Sequence, residues 1–218
     1  GATITPPDGP PPEANAARDA LGLAADDFVV GHFGFVNHSK GVDTLLEAVA
    51  RLCGAGISAR LVMIGERVGA SDPSNAAYGA EIDAHAARLG ITPIWTGFAA
   101  EADLPRYFAA LDALAVPFRD GAAAQRTSLQ AGLAYGCAIV TTAPTHPDDL
   151  PEIIPNEHLL TVPPEDPAAL AEALHSLYAD PAARARLRTG AQIAAQRFAW
   201  PGIAARILDV YRTVIQEQ

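Results

Sequence analysis

Short apolar runs alternate with longer segments of helical period from Asp27 onward, and this alternation restricts the fold more than any other feature. The short runs are rich in β-branched residues and apolar enough to be covered on both faces. Strands that alternate with helices form parallel sheets, because a helix is the usual connection between parallel neighbours. The sequence therefore predicts an α/β fold, with a parallel six-stranded sheet and helices on both faces.

The predicted strands and helices follow from the same pattern. Asp166-Pro167 and Asp180-Pro181 mark two helix starts, since each places a capping Asp before a Pro at the first helical position. Strands are expected at 28–35, 60–65, 93–96, 113–117, 138–141 and 158–162, and helices at 42–53, 76–89, 101–110, 125–135, 166–179, 181–197 and 201–216.

The charge balance and the cysteines exclude several classes of function. With 15 Lys and Arg against 25 Asp and Glu, the formal net charge is −10, which disfavours a broad surface for nucleic acid or anionic lipid. Cys53 and Cys137 lie far apart in apolar segments, which argues against a disulfide framework or a thiolate metal cluster and fits the cytoplasm. No run approaches the ~20 apolar residues that span a bilayer.

The first residues differ in composition from the rest of the chain. Residues 5–12 are mostly Pro and Gly, without the basic start or the apolar run of a signal peptide. This composition favours an extended connector. We expect residues 1–26 to be an inter-domain connector with a lead-in helix, and residues 27–218 to be one domain.

Several well-known catalytic motifs are missing from the sequence. Residues 54–59 have the letters of a dinucleotide fingerprint, but they follow a helix and precede a strand, the reverse of the order that the chemistry needs. The sequence has no GxxxxGK[ST] loop, no GxSxG elbow, no HExxH and no Asp-x-Asp pair. Its 6 histidines show no paired ligand spacing, so no metal site is expected. With the phosphate loop missing and the fingerprint in the wrong order, no cofactor is expected either.

Three segments carry a more specific pattern. Residues 33–48 contain Lys40-Gly41 before an amphipathic helix, and residues 95–117 place Gly97-Phe98 just after a strand. Residues 128–142 read SLQAGLAYGCAIVTT, close to Leu-Glu-Ala-Met-Ala-x-Gly-x-Pro-Val-Val. Together with Phe198-Ala199-Trp200 and Tyr211, these segments resemble the donor-binding domain of family 4 glycosyltransferases, which have the GT-B fold.

The resemblance implies a function for the chain. A GT-B enzyme has two Rossmann-like domains, and this chain is similar to the second of them, with the N-terminal acceptor domain absent. The implied activity is retaining, metal-independent transfer of a sugar from a nucleoside diphosphate to an unidentified acceptor. We expect the isolated domain to bind the donor without turnover, with its own N-terminal domain as partner and with no nucleic acid or integral membrane segment. The expected setting is the cytoplasm, with peripheral association of the full-length enzyme with the inner membrane left open.

The resemblance also indicates a phosphate site. Lys40 matches the family lysine that places its ammonium on the donor phosphates. The free N–H groups of Gln125, Arg126 and Thr127 at a predicted helix start form a second anion-binding element, with side-chain donors on Arg126, Thr127 and Ser128. An Arg in the first turn of a helix opposes the dipole unless an anion offsets it. The alternatives are a solvated loop lysine, and ordinary helix caps at Thr127 and Ser128.

Three positions depart from the family pattern. The two Glu of the family fall on Ala122 and Gln130, and an Arg of its first loop falls on Phe35. Gln130 keeps an acceptor for ribose, whereas Ala122 has no polar group. Asp120 is the nearest carboxylate that could act near the reacting sugar, with a plain turn aspartate as the alternative. The predicted catalytic residues are Lys40, Arg126 and Asp120.

The remaining donor contacts complete the predicted site. Base and ribose are expected against backbone groups around Gly97 and the side chain of Phe98. His38 is the candidate that offsets the lost arginine, against the alternative of a solvated loop histidine. The base is left open between uridine, guanosine and adenosine. The predicted binding residues are Gly34, Phe35, His38, Lys40, Gly97, Phe98, Gln125, Arg126, Thr127, Ser128 and Gln130.

Two other functions are compatible with the sequence. Ala122 and Gln130 motivate a non-catalytic GT-B-like binding or scaffolding module that has lost the chemistry. A nucleotide-sugar epimerase would also use Rossmann-like halves, but the clustered acid and base residues that it needs are not evident.

Overall fold

The computed structural model of the chain describes residues 4–7, 9–67 and 73–216. Residues 1–3 and 8 of the predicted connector lie outside this range. The strands are β1 (Phe28–Phe33), β2 (Ala59–Ile64), β3 (Ile94–Trp95), β4 (Ala113–Val116), β5 (Ile139–Thr142) and β6 (Leu160–Val162). The helices are α1 (Ala14–Ala20), α2 (Val42–Gly54), α3 (Pro73–Leu89), α4 (Leu104–Ala109), α5 (Thr127–Ala134), α6 (Pro167–Ala179), α7 (Pro181–Ala195) and α8 (Trp200–Gln216).

The strands form one six-stranded sheet in the order β3-β2-β1-β4-β5-β6, and each neighbouring pair is parallel. This arrangement confirms the predicted α/β fold of Rossmann-like type. The chain order reverses between β1 and β4, where Val30 pairs with Ala113 and Gly31 with Leu114. Ligands of open parallel sheets bind beyond the carboxyl ends of the strands at such a reversal. The loops after β1 and β4 are therefore the place to look for a site.

Apolar clusters cover both faces of the sheet. One cluster joins β1 residue Val30 to α2, α3 and α6, and the other joins its neighbour Val29 to α4, α5 and α7. Successive side chains of a strand point to opposite faces, so a strand buried on both sides needs an unbroken apolar run. Gly132 lets α5 lie close to β4, because a Cβ atom there would be 2.4 Å from Leu114 Cδ2.

The predicted helix starts at Asp166 and Asp180 are confirmed. Asp166 Oδ1 accepts hydrogen bonds from the N–H groups of Ala168 and Ala169 at 3.0 and 2.9 Å, and Asp180 Oδ1 accepts from Ala183 at 2.9 Å. Strand ends differ more from the prediction. β1 ends at Phe33 instead of residue 35, because Gly34 has a φ of 110° and turns the chain away from the sheet.

None of the helices within the described residues combines the length and the apolar character needed to cross a membrane.

Candidate functional site

Two loops meet at the carboxyl edge of the sheet, one after β1 and the other after β4. The backbone N–H of Arg119 donates to the carbonyl of Ser39 at 3.0 Å. Gly41 closes the first loop with a φ of 61°, and a Cβ atom there would lie 2.1 Å from the carbonyl oxygen of Pro117. The glycine of the Lys40-Gly41 pair thus has a packing reason, since only a residue without a side chain fits between the two loops.

Lys40 lies at the centre of this junction. Its Nζ donates to Ser128 Oγ at 2.8 Å and is 5.1 Å from the centre of the Phe118 ring, which is fully buried. Burial, followed by the nearby Arg126 guanidinium, lowers the pKa of Lys40 from 10.5 to about 8, although Asp120 opposes this shift. An ammonium with a lowered pKa gains stability from any anion that approaches it.

Arg126 places a second cation on the same aromatic ring. Its Cζ is 4.8 Å from the centre of Phe118, and its Nη2 is 2.5 Å from Asp120 Oδ2. Within the described parts of the chain, the buried Nε of Arg126 has no hydrogen-bond partner. Phe118 therefore makes cation–π contacts with both Lys40 and Arg126.

The start of α5 supplies backbone donors next to these cations. The helix begins at Thr127 and has no side-chain cap among the described residues, so its first N–H groups belong to Thr127, Ser128 and Leu129. The predicted free N–H groups at Gln125 and Arg126 are not those of the helix start. Both residues precede the helix, and the Arg126 N–H donates to the Ala123 carbonyl at 3.0 Å.

A cavity of about 310 Å³ opens between the loop after β1 and the start of α5. Five predicted site residues contribute to its wall, which is cationic and polar at Lys40 and Ser128 and aromatic at Phe35, itself half exposed. The lining residues are Ile4, Phe33, Gly34, Phe35, Asn37, Lys40, Thr127 and Ser128.

Ala122 and Gln130, which stand where the family pattern has glutamates, lie outside the cavity wall. Ala122 is buried in the apolar cluster that contains Leu129, so its position offers no polar group to a ligand. Gln130 Nε2 donates to the Ala124 carbonyl at 2.6 Å, which leaves its amide oxygen as the atom that can accept from a ligand. Gln130 thus stabilises the 121–126 turn.

Other predicted residues lie away from the cavity. His38 is exposed, and its ring packs against Tyr78 with a centroid distance of 5.5 Å, toward α3 rather than Lys40. Gly97 has a φ of 68° and Phe98 is 77% exposed on the loop after β3. The roles of Gly97 and Phe98 toward a base remain predictions, and Gln125 is exposed beside the start of α5.

Sequence reasoning missed two aromatic features of the site. Phe118 directly follows the predicted fourth strand, but its contact with Lys40 depends on two loops that lie far apart in the chain and meet in space. His32 is fully buried on β1 with Nδ1 3.1 Å from the Ala115 carbonyl. Burial first, and then the Lys40 charge, lower the pKa of His32 from 6.5 to about 4. Its ring is therefore neutral beneath the site.

No group of three or more His, Cys, Asp or Glu side chains that could hold a metal ion occurs within residues 4–7, 9–67 and 73–216.

Comparison of the sequence with known proteins identifies relatives along nearly all of it. Residues 27–180 match the family described as Glycosyl transferases group 1. The D-inositol 3-phosphate glycosyltransferase of Xylanimonas cellulosilytica is 32% identical over 212 residues, which cover 96% of this chain and 48% of the relative. The enzyme of the same name from Streptomyces bingchenggensis is 31% identical, over 90% of this chain and 43% of its own. The chain spans about half the length of these curated relatives.

Solved structures of similar fold agree with the sequence relatives. Anabaena HepE in complex with UDP and glucose has a TM-score of 0.76 and 24% identity, covering 91% of this chain and 51% of HepE. The sucrose-phosphate synthase of Thermosynechococcus elongatus has a TM-score of 0.76 and 26% identity, over 94% of this chain and 50% of its own. The match is to one half of a GT-B fold. The chain belongs to the Glycosyl transferases group 1 family.

Proposed function

We propose that residues 27–218 bind the nucleoside diphosphate sugar of a retaining, metal-independent glycosyltransferase, and that residues 1–26 connect them to an acceptor domain. One observation carries the proposal: Lys40 and Arg126 lie over the same Phe118 ring, beside the first turn of α5. Two cations on one aromatic ring beside a helix start suit an anion with two phosphoryl groups.

The proposed chemistry uses these groups on the leaving diphosphate. Sugar transfer breaks the bond between the anomeric carbon and a phosphate oxygen, and the electron pair stays on that oxygen. Lys40, Arg126 and the N–H groups of the first α5 turn stabilise the charge that develops there, and they do so without a metal. The oxygen of the acceptor hydroxyl forms the new bond to the anomeric carbon, and its proton passes to the departing phosphate oxygen.

The remaining donor contacts are proposed from the same geometry. The amide oxygen of Gln130 accepts from a ribose hydroxyl, and the base lies against Gly97 and Phe98. UDP is the first nucleotide to test, because HepE, which shares the fold, has been crystallised with UDP and glucose. The acceptor binds to the other half of the protein, so the chain described here binds its donor without turnover.

Titration calorimetry with UDP, GDP and ADP, in EDTA and again with magnesium, tests the proposal. We expect saturation by one nucleotide with the same affinity in both buffers. Lys40→Met and Arg126→Ala should each weaken binding at least about tenfold, because each removes a charge-assisted contact. Arg51→Ala is the matched control, since Arg51 is an exposed arginine in the last turn of α2. Binding that survives Lys40→Met unchanged would contradict the proposal.

One observation favours a second candidate function, a non-catalytic binding module. Ala122 is packed in the apolar core at the position of a family glutamate. Under this alternative the isolated chain binds none of the three nucleotides up to millimolar concentration, and a UDP-sugar binds no more tightly than UDP. A UDP-sugar that binds more tightly than UDP would exclude the alternative.

A further inference from the structure

The carboxylate of Asp120 pairs with one cation of the site, Arg126, and acts electrostatically on the other, Lys40. Asp120 Oδ2 is 2.5 Å from Arg126 Nη2, and its charge also acts on Lys40. The carboxylate thus makes the same ion pair with Arg126 that the proposed function assigns to a donor phosphate. We propose that Asp120 is an internal anion that competes with the donor diphosphate for Arg126 and so sets the affinity of the site.

The two partners of this ion pair differ in how firmly they are held. The Arg126 side chain is 25% exposed, whereas that of Asp120 is 55% exposed. Arg126 is also fixed by the Phe118 ring at 4.8 Å and by two backbone hydrogen bonds of 3.0 Å, to Ala123 and from Gln130. Arg126 therefore stays in place without Asp120, and the carboxylate is the partner that can give way.

The backbone of Asp120 is held independently of its side chain. Its carbonyl accepts from Thr145 Oγ1 at 3.0 Å, and the next residue, Gly121, has a φ of 82°. A Cβ atom on Gly121 would lie 2.8 Å from Thr145 Oγ1. The turn thus keeps its shape when the carboxylate rotates away, so a change of charge at Asp120 acts on the ligand and leaves the loop as it is.

This role predicts an effect opposite in sign to that of a residue that contacts the donor. A phosphate that approaches Arg126 must displace a like charge, which weakens its binding. Removing the charge while keeping the shape, as in Asp120→Asn, should therefore tighten the binding of UDP. A side chain that stabilises the donor sugar would give weaker binding of the UDP-sugar when changed in the same way.

The inference rests on the proposed function, and calorimetry with UDP and with inorganic pyrophosphate tests both. Asp120→Asn should bind each ligand about threefold to tenfold more tightly than the unchanged chain, the range expected for a partly exposed ion pair. The gain should shrink between 50 mM and 500 mM NaCl, because salt screens exposed charges. Asp120→Glu keeps the charge and should show no gain.

Asp209→Asn is the matched control for net charge, since Asp209 forms an exposed pair with Arg212 on α8. If Asp209→Asn gains as much affinity as Asp120→Asn, the inference is overturned. It is also overturned if Asp120→Asn binds UDP no more tightly than the unchanged chain. In both cases the proposed function stands as long as the unchanged chain binds UDP. If Asp120→Asn binds and the unchanged chain does not, the inference holds. If neither binds UDP or pyrophosphate, both are overturned.

Discussion

Lys40 Nζ and Ser128 Oγ are 2.8 Å apart, and this hydrogen bond joins the loop after β1 to the first turn of α5 across the point where the strand order reverses. Lys40 is the single lysine of the sequence. It is partly buried next to Arg126, which is why its pKa falls from 10.5 to about 8. The hydrogen bond positions the cation, while burial and the Arg126 charge make that charge depend on pH near neutrality.

Amine acylation followed by peptide mapping should detect this lowered pKa. Only the deprotonated amine reacts, so we expect the rate at Lys40 to rise with a midpoint near pH 8, as its pKa of about 8 requires. In the urea-denatured chain, which serves as the control, the midpoint should return to about 10.4. Bound UDP should protect Lys40 from the reagent and raise the midpoint, since an anion favours the protonated form. A folded-state midpoint near 10.5 would contradict the burial argument.

Gly41 should tolerate no side chain. The substitution Gly41→Ala combines a φ of 61° with a Cβ atom 2.1 Å from the Pro117 carbonyl oxygen. We expect it to lower the free energy of unfolding by about 2–4 kcal/mol in urea denaturation. Gly56→Ala is the control, because Gly56 has a φ of 84° but nothing within 4 Å of its Cβ position, and strain alone should cost about 1 kcal/mol. Equal losses in the two variants would mean that the loops separate easily.

His32 should make the chain sensitive to acid. Its pKa is about 4 in the folded chain and 6.5 when unfolded, so the unfolded state takes up a proton first as the pH falls. The stability contributed by the neutral ring is complete above pH 6.5 and is lost as the pH falls toward 4, on the order of 3 kcal/mol in all. His32→Gln keeps a donor for the Ala115 carbonyl but does not titrate, so the difference in unfolding free energy between pH 7 and pH 5 should shrink. An unchanged pH dependence would assign the acid sensitivity to other groups.

The sheet and most helices follow from local sequence, but the site follows only in part. Strand and helix periods, the caps at Asp166 and Asp180 and the Lys40-Gly41 pair are all readable from neighbouring residues. The start of α5 is not, because the pattern predicts the helix from residue 125 whereas it begins at Thr127. The Arg126 N–H instead donates to the Ala123 carbonyl, which extends the preceding turn to Arg126.

Contacts between loops that are distant in the chain could not be predicted from the sequence either. The orientation of His38 toward Tyr78 and the shared Phe118 ring depend on how the loops after β1 and β4 meet. The family pattern predicted Lys40 and a helix start near Arg126 as site elements, but it predicted no partner for the Arg126 side chain. Asp120 thus entered as a candidate catalyst from its position in the chain, whereas the structure pairs it with Arg126.

Phe35 gives a final prediction, because it replaces a cation of the family pattern and lines the cavity next to Lys40. Its side chain is 50% exposed, so Phe35→Arg should fold with a change in unfolding free energy within about 0.5 kcal/mol. The new guanidinium can reach an anion held at Lys40, and we expect UDP to bind about threefold to tenfold more tightly in calorimetry. Ile154→Arg is the control, since Ile154 is 46% exposed and does not line this cavity. A gain in both variants would reflect net charge alone, whereas weaker binding by Phe35→Arg would indicate that the ring itself contacts the ligand.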